Sequence, residues 1–398
     1  MKKKETWLKP RHKVVTALLR YPLGMYCKLR YNIKVESPRA ETNRPCVVVF
    51  NHQTAFDQFF VSISFKQPIY YLSSEDLYSN GLTSALIRYL VAPIPIKKQT
   101  TDITAVKIAM RVAKEGGSIG IAPEGNRTYD GRPVYIKPAI AKLVRATRLP
   151  LVIYRIEGGF GVQPRWSDVL RRGKMHSYVA RILEPEEIKA MTDEELLEVI
   201  VSGLNVCENN VSGTFQHKKL AEYVERVLYY CPKCGLSPFE SHGDTVTCKT
   251  CGLTAKYLPT KELSGVPYHF LADWYQAQVD YVNALDLSPY METPAFTDRA
   301  SLSEVIVCKK KIPVAKDADI ALYGDRIEIS NEDMHLTLHY DDIGVATVLG
   351  KNKLNIYYKD KLYQLKGDAR FNALKYMNLY YRYNNLKGDN ANEQFLGL

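Results

Sequence analysis

A chain of 398 residues, 46% hydrophobic and 24% charged, is too rich in apolar side chains to be wholly disordered. At roughly 100–200 residues per domain, its length predicts two or three domains. Its net charge of +11 is carried unevenly, about +13 before Cys231 and about −2 from there on, with about +9 already reached at Arg39, which excludes a uniformly basic protein.

At the N-terminus, Lys2, Lys3 and Lys4 precede an apolar stretch from Val14. Arg20 and Pro22 break that stretch and no small-residue cleavage site follows, so a signal peptide is not expected. No run of about 18 apolar residues occurs, and no conventional transmembrane span is expected. Two short helices are predicted instead, over about 10–20 and 23–31. They mix Trp7, Val14, Val15, Leu18, Leu19, Leu23, Met25, Tyr26 and Leu29 with Lys and Arg. That composition suits the interface of an anionic bilayer; the alternative is a basic helix packed on its own domain.

Val47 to Phe50 reads as a buried strand running into Asn51-His52, with further strands at 68–72, 94–96, 118–122 and 151–156. Helical spacing covers 101–114, stopped by Gly116-Gly117, and 139–148; Thr192 with Glu195 forms a capping box. Strands alternating with helices over the first 210 or so residues predict an α/β domain. A linking helix is expected over 215–230 and a second helix over 268–285. From about Leu302 the pattern changes to seven short strands, 303–308, 319–323, 326–330, 334–340, 344–349, 353–358 and 361–365, with turns at Gly324-Asp325 and Gly350–Asn352. A terminal helix follows from Arg370. The expected division is 1–40 as a basic membrane-surface segment, 41–212 as the α/β domain, 213–257 as linking helix and cysteine cluster, 258–300 as a helical linker, and 301–398 as the β-rich domain.

His52 and Asp57, separated by four residues, stand just after a strand. A carboxylate at that distance can fix the imidazole tautomer and stabilise the imidazolium, leaving the second nitrogen to take a proton. After another strand comes Pro123-Glu124-Gly125-Asn126-Arg127-Thr128, where glycine permits a tight loop and Arg127 offers a planar donor fork for phosphate.

In this order and spacing the two blocks resemble the glycerolipid acyltransferase family that includes the 1-acylglycerol-3-phosphate acyltransferases. The family pattern is Asn-His-x-x-x-x-Asp, an apolar block ending in Arg, Pro-Glu-Gly-x-Arg, and an apolar block with proline. The middle block resembles Ala92–Lys98 here and the last Leu149–Tyr154. The resemblance covers about 15–210. It implies acyl transfer from a thioester, acyl-CoA or acyl-carrier protein, to a lysophospholipid acceptor, 1-acylglycerol 3-phosphate, with His52 as general base and Asp57 orienting it. Glu124, Gly125, Arg127 and Lys98 would bind the acceptor. The chain departs from the pattern at Lys98, where Arg is usual, and at Thr54, Asn126 and Ile153. The alternatives are another lysolipid acceptor, a transacylase, or a membrane-bound scaffold that recruits a partner.

Cys231-Pro-Lys-Cys234-Gly and Cys248-Lys-Thr-Cys251-Gly form two knuckles. Four thiolates at this spacing can close a tetrahedral zinc site, predicting a structural zinc ribbon and a reducing, cytoplasmic setting; rubredoxin-like iron and a redox pair are the alternatives. Cys27, Cys46, Cys207 and Cys308 read as small hydrophobes. No basic stripe interleaved with aromatics follows Cys231, and nucleic acid is not expected as a partner. Seven strands and one helix over about 302–386 resemble a pleckstrin-homology-like domain, the alternative being a small β-barrel or sheet packed on the ribbon. The basic N-terminal segment predicts a peripheral position on the cytoplasmic face of a membrane.

Overall fold

Val47–Phe50 contains no polar side chain, and in the computed structural model all four of its residues are buried at the centre of a sheet. The structure describes residues 6–36, 43–78, 81–96, 102–306 and 310–388, without the side chains of 75 and 76. Lys2 to Lys4, Arg39, Lys98 and Cys308 therefore lie outside the described residues. These divide into two compact units. The first contains the chain up to Pro164 and Arg172–Thr214; the second contains Arg165–Arg171, Phe215–Ile306 and the chain from Lys310 on.

The first unit opens with α1 (Pro10–Tyr31) and β1 (Ile33–Val35), followed by β2 (Val47–Phe50), α2 (Asp57–Ser64), β3 (Ile69–Ser74), α3 (Gly81–Val91), β4 (Ile94–Ile96), α4 (Ile103–Lys114) and β5 (Ser118–Ile121). Then come α5 (Ala139–Thr147), β6 (Leu151–Glu157), the single turn α6 (Gly159–Val162), β7 (Met175–Leu183), α7 (Pro185–Ala190) and α8 (Asp193–Leu204). The seven strands lie in the order β1-β7-β6-β2-β5-β3-β4. All neighbours are parallel except β6 and β7. Strands buried on both faces favour apolar side chains, which is why β2 reads as a continuous run, while the equally buried β5 sets Ser118 and Gly120 beside Ile119 and Ile121. Helices α4, α5 and α8 pack together and against the sheet, and Val47, Val49, Ile119, Ala109, Val144 and Ile200 belong to that core. Asp102 caps α4 by accepting from the amides of Thr104 and Ala105, and Gly116, at φ +80°, ends the last turn. Thr192 and Glu195 form the expected capping box on α8.

The N-terminal segment is one helix of 22 residues, not two. Pro22 removes one interior N–H but does not divide it. Contacts with α2 and α3, and the bond from Arg20 Nε to the Ile63 carbonyl (3.0 Å), hold α1 along its length.

The second unit begins without the predicted linking helix. Residues 215–230 are mostly irregular, with a 3-10 turn at Val224–Arg226 and Tyr223 at φ +73°. A two-stranded ladder follows, β8 (Tyr230–Cys231) with β9 (Gly235–Leu236). Next comes a four-stranded sheet of β10 (Phe239–His242), β11 (Thr245–Cys248), β12 (Thr254–Tyr257) and β13 (Leu263–Ser264). Helix α9 (Leu271–Ala284) leads to seven antiparallel strands. These are β14 (Phe296–Ile306), β15 (Lys310–Leu322), β16 (Arg326–Ser330), β17 (His335–His339), β18 (Ile343–Leu349), β19 (Lys353–Tyr358) and β20 (Lys361–Gly367), ordered β17-β16-β15-β14-β20-β19-β18. Helix α10 (Leu374–Lys387) contacts β18 and β19. The first two of these strands are longer than the sequence pattern indicates. Around Pro313, β15 pairs with β14 alone and beside a register irregularity, the kind of edge or bulge position at which sheets admit proline.

Candidate functional site

The carboxyl ends of three adjacent parallel strands, β6, β2 and β5, deliver three loops to one edge of the first sheet, the place where open α/β sheets present ligands. The loop after β2 carries Asn51 and His52, that after β5 carries Pro123–Thr128, and that after β6 carries Gly158–Val162.

Asp57 is fully buried at the first position of α2. Its Oδ2 lies 2.7 Å from His52 Nδ1 and accepts from the Gln53 amide at 2.7 Å. Its Oδ1 accepts from the Thr54 hydroxyl at 2.6 Å, and the Thr54 amide reaches both oxygens at 3.0 Å. These donors fix the carboxylate as an acceptor aimed at the imidazole. The His52 side chain keeps 24% of its surface exposed, so the ring can be reached from solvent while Asp57 cannot.

The second block is bonded to the first through the backbone of His52. The His52 amide donates to Glu124 Oε1 (3.1 Å), and the His52 carbonyl accepts from the Thr128 amide (3.1 Å). Glu124 is buried, and burial pushes its carboxyl up to about 8; amides of His52 and Val134 pull it back, and the Asp57 charge adds to the rise. Gly125 turns the loop at φ +68°, exposed, with open space where a Cβ would stand. Arg127, on the same loop, is half-buried. His52, Asp57, Glu124, Gly125 and Arg127 are thus gathered at these loops, while Lys98 lies outside the described residues.

Two further polar residues hold the site and were not singled out from the sequence. Asn51 clamps β6, donating to the Ile156 carbonyl and accepting from the Ile156 amide, each at 2.8 Å. Gln53 accepts from the amides of Gly159 (2.9 Å) and Phe160 (3.3 Å). Both are buried. Asn51 opens the Asn-His-x-x-x-x-Asp pattern but was given no role from it, and Gln53 had no signal beyond its position beside His52.

In the second unit the Sγ atoms of Cys231, Cys234, Cys248 and Cys251 all lie within 4.8 Å of one another. Those of Cys231 and Cys251 are 3.7 Å apart. A tetrahedral zinc with Zn–S near 2.3 Å separates its sulfurs by about 3.8 Å, so the donor set fits such an ion. Gly235 and Gly252 follow the second cysteine of each knuckle at φ +76° and +74°, as the knuckle turn requires.

Residues 32–157 match the family model described as Acyltransferase. The chain is 24% identical over 159 residues to a chloroplast 1-acyl-sn-glycerol-3-phosphate acyltransferase of Brassica napus, covering 39% of this chain and 45% of that one. It is 22% identical over 137 residues to the 1-acyl-sn-glycerol-3-phosphate acyltransferase of Bacillus subtilis (strain 168), covering 34% of this chain and 65% of that one. The matches thus span about half to two thirds of these relatives' lengths. Among solved structures it is similar to the 1-acyl-sn-glycerophosphate acyltransferase PlsC of Thermotoga maritima, with 20% identity, a TM-score of 0.41, and coverage of 50% of this chain and 80% of that one.

Proposed function

We propose that this chain, which carries an acyltransferase-family domain over residues 32–157, is an enzyme that transfers a fatty acyl group from acyl-CoA or acyl-carrier protein to 1-acylglycerol 3-phosphate, forming phosphatidate. The observation that carries the reading is the His52–Asp57 pair at 2.7 Å, with the Pro123–Thr128 loop bonded to the backbone of that same histidine. The names of the curated relatives support the choice of acceptor.

In this mechanism the acceptor hydroxyl gives its proton to Nε2 of His52, and Asp57 stabilises the resulting imidazolium through Nδ1. The hydroxyl oxygen attacks the thioester carbonyl; the C–O bond forms, the C–S bond breaks, and the departing thiolate takes the proton back from His52. Arg127 and the Gly125 turn face the acceptor phosphate, with Lys98 as a further cation, while Glu124 holds His52 by its amide. His52→Ala should lower kcat about 10²–10⁴-fold. A purified variant with full activity would end the reading. Arg127→Ala should raise KM for phosphate-bearing acceptors; an unchanged preference would favour a phosphate-free lysolipid acceptor.

The enzyme would work peripherally on the cytoplasmic face of an anionic membrane. Supporting this, α1 exposes Leu18, Tyr21, Met25 and Leu29 beside Lys13, Lys28 and Arg30, and α3 exposes Leu82, Leu86 and Tyr89 beside Arg88. Among the described residues no helix is long and apolar enough to cross a membrane. The four cysteines would hold one zinc ion as a closed set, giving the second unit a structural cross-link and the reaction no open coordination position.

A further inference from the structure

We infer that Glu208 and Gln53 are positioning residues for the proposed reaction, acting together through the Gly158–Gly161 backbone. The inference rests on the His52 reading and goes beyond the acyltransferase-matched segment, since Glu208 lies outside residues 32–157.

Four consecutive amides, Gly158 to Gly161, follow β6 toward the site. Glu208 accepts from Gly158 (2.7 Å) and Gly161 (3.4 Å), one on each carboxylate oxygen. Gln53 Oε1 accepts from the two amides between them, Gly159 and Phe160. Successive backbone N–H groups directed at one side form an anion-binding concavity. Here the chain's own oxygens fill it, so these amides are committed to holding the loop.

The same two residues reach the other loops. The Gln53 amide donates to Asp57 Oδ2, the oxygen that also meets His52. The Glu208 amide donates to the Gly131 carbonyl at 2.8 Å, just past the Pro123–Thr128 block. Gln53 and Glu208 are 2% and 0% exposed, so neither meets bulk solvent. The glycines are required by this closeness. A Cβ on Gly159 would stand 2.6 Å from Gln53 Oε1, and one on Gly131 2.9 Å from the Phe160 ring and 3.1 Å from Glu208 Cβ. The three loops are therefore tied at two side chains, with the reacting pair at one end. A shift of the loop passes through Gln53 to Asp57 and the imidazole, where a displacement near 1 Å costs about 10²-fold in rate.

The test is steady-state kinetics on full-length Glu208→Gln, Gln53→Met and the double variant, with both substrates varied. Glu208→Gln keeps one accepting oxygen; Gln53→Met keeps the length and removes the acceptor. Each single variant should lose about 10- to 100-fold in kcat with the acceptor KM within about twofold of wild type. Because both act through one loop, the double variant should be no worse than about the poorer single. Unchanged kcat in both singles, losses that multiply in the double, or a raised acceptor KM with kcat intact would each overturn the inference. If Glu208→Gln does not fold, Gln53→Met decides by its kcat-to-KM split. Active His52→Ala would instead overturn the reaction itself, a result that the Glu208 and Gln53 variants cannot imitate.

Discussion

Glu124 lies in a part of the site where burial and charge oppose one another. Its carboxyl moves from an ordinary value of 4.5 up to about 8, mainly through burial, so the folded chain holds this proton more tightly than the unfolded chain. The resulting stability is full below about pH 4.5 and is lost as the pH rises to about 8, because the unfolded state binds fewer protons across that window. Glu124→Gln, neutral throughout and still offering an oxygen to the His52 amide, should flatten this decline. Urea midpoints compared at about pH 5 and pH 8 measure it, and an equal decline in the variant would remove Glu124 as its source. At this scale the sequence was legible where partners are close along the chain. His52 and Asp57 meet because six residues turn into the first helical position of α2. The roles of Asn51, Gln53 and Glu208 were not legible, because their partners in β6 and its following loop arrive only when the sheet assembles.

Periodicity made β2, β5, β6, α4 and α5 legible as elements, since each buries one face or both in the same core. It failed at 215–230, where Leu220, Val224 and Val227 have helical spacing but the chain is fixed by tertiary partners. Arg226 bonds the Trp166 carbonyl and Asp168, Glu225 pairs with Arg370, and Asn372 reaches the Glu225 carbonyl. Such bonds outweigh local propensity, which is worth tenths of a kcal/mol per residue. Helix α3 was missed for the opposite reason: its apolar side chains point outward, so no core stripe marks it. Leu82 is 90% exposed, and Leu18 and Leu29 of α1 are 70% and 78% exposed. If these helices meet the bilayer, Leu18→Asp, Leu29→Asp and Leu82→Asp should each weaken binding to phosphatidylserine-containing vesicles by about tenfold or more, each removing about 1.5–3 kcal/mol of burial. Being exposed, they should leave the folded state intact by circular dichroism. Equal co-sedimentation of all three with wild type would detach both helices from the membrane.

Over the whole molecule, the two units differ in how their sheets are built. The first has a seven-stranded sheet with a continuous apolar core. The cysteine region of the second has two short sheets, the larger with four-residue strands at most, which the proposed zinc would cross-link. The knuckles were legible because each is a local Cys-x-x-Cys-Gly turn; what they brace was not. The structure joins them to α9: Trp274 Nε1 donates to the Tyr230 carbonyl at 2.9 Å, the Tyr281 ring lies 4.6 Å from that of Tyr230, and a Cβ on Gly235 would collide with the Tyr281 hydroxyl. Loss of a metal at Cys231, Cys234, Cys248 and Cys251 should therefore loosen β8, β9 and α9 together, since binding to the folded set alone is folding free energy. Metal analysis should find near one zinc per chain in the wild type and none in Cys231→Ser. With a strong chelator, the thermal transition of the second unit should fall while that of the first stays within a few degrees. Hydrogen exchange separates the two: Leu271–Ala284 amides should lose protection and those of Val47–Phe50 keep it. Full protection of α9 in metal-free Cys231→Ser would mean that the four sulfurs brace nothing beyond their own turns.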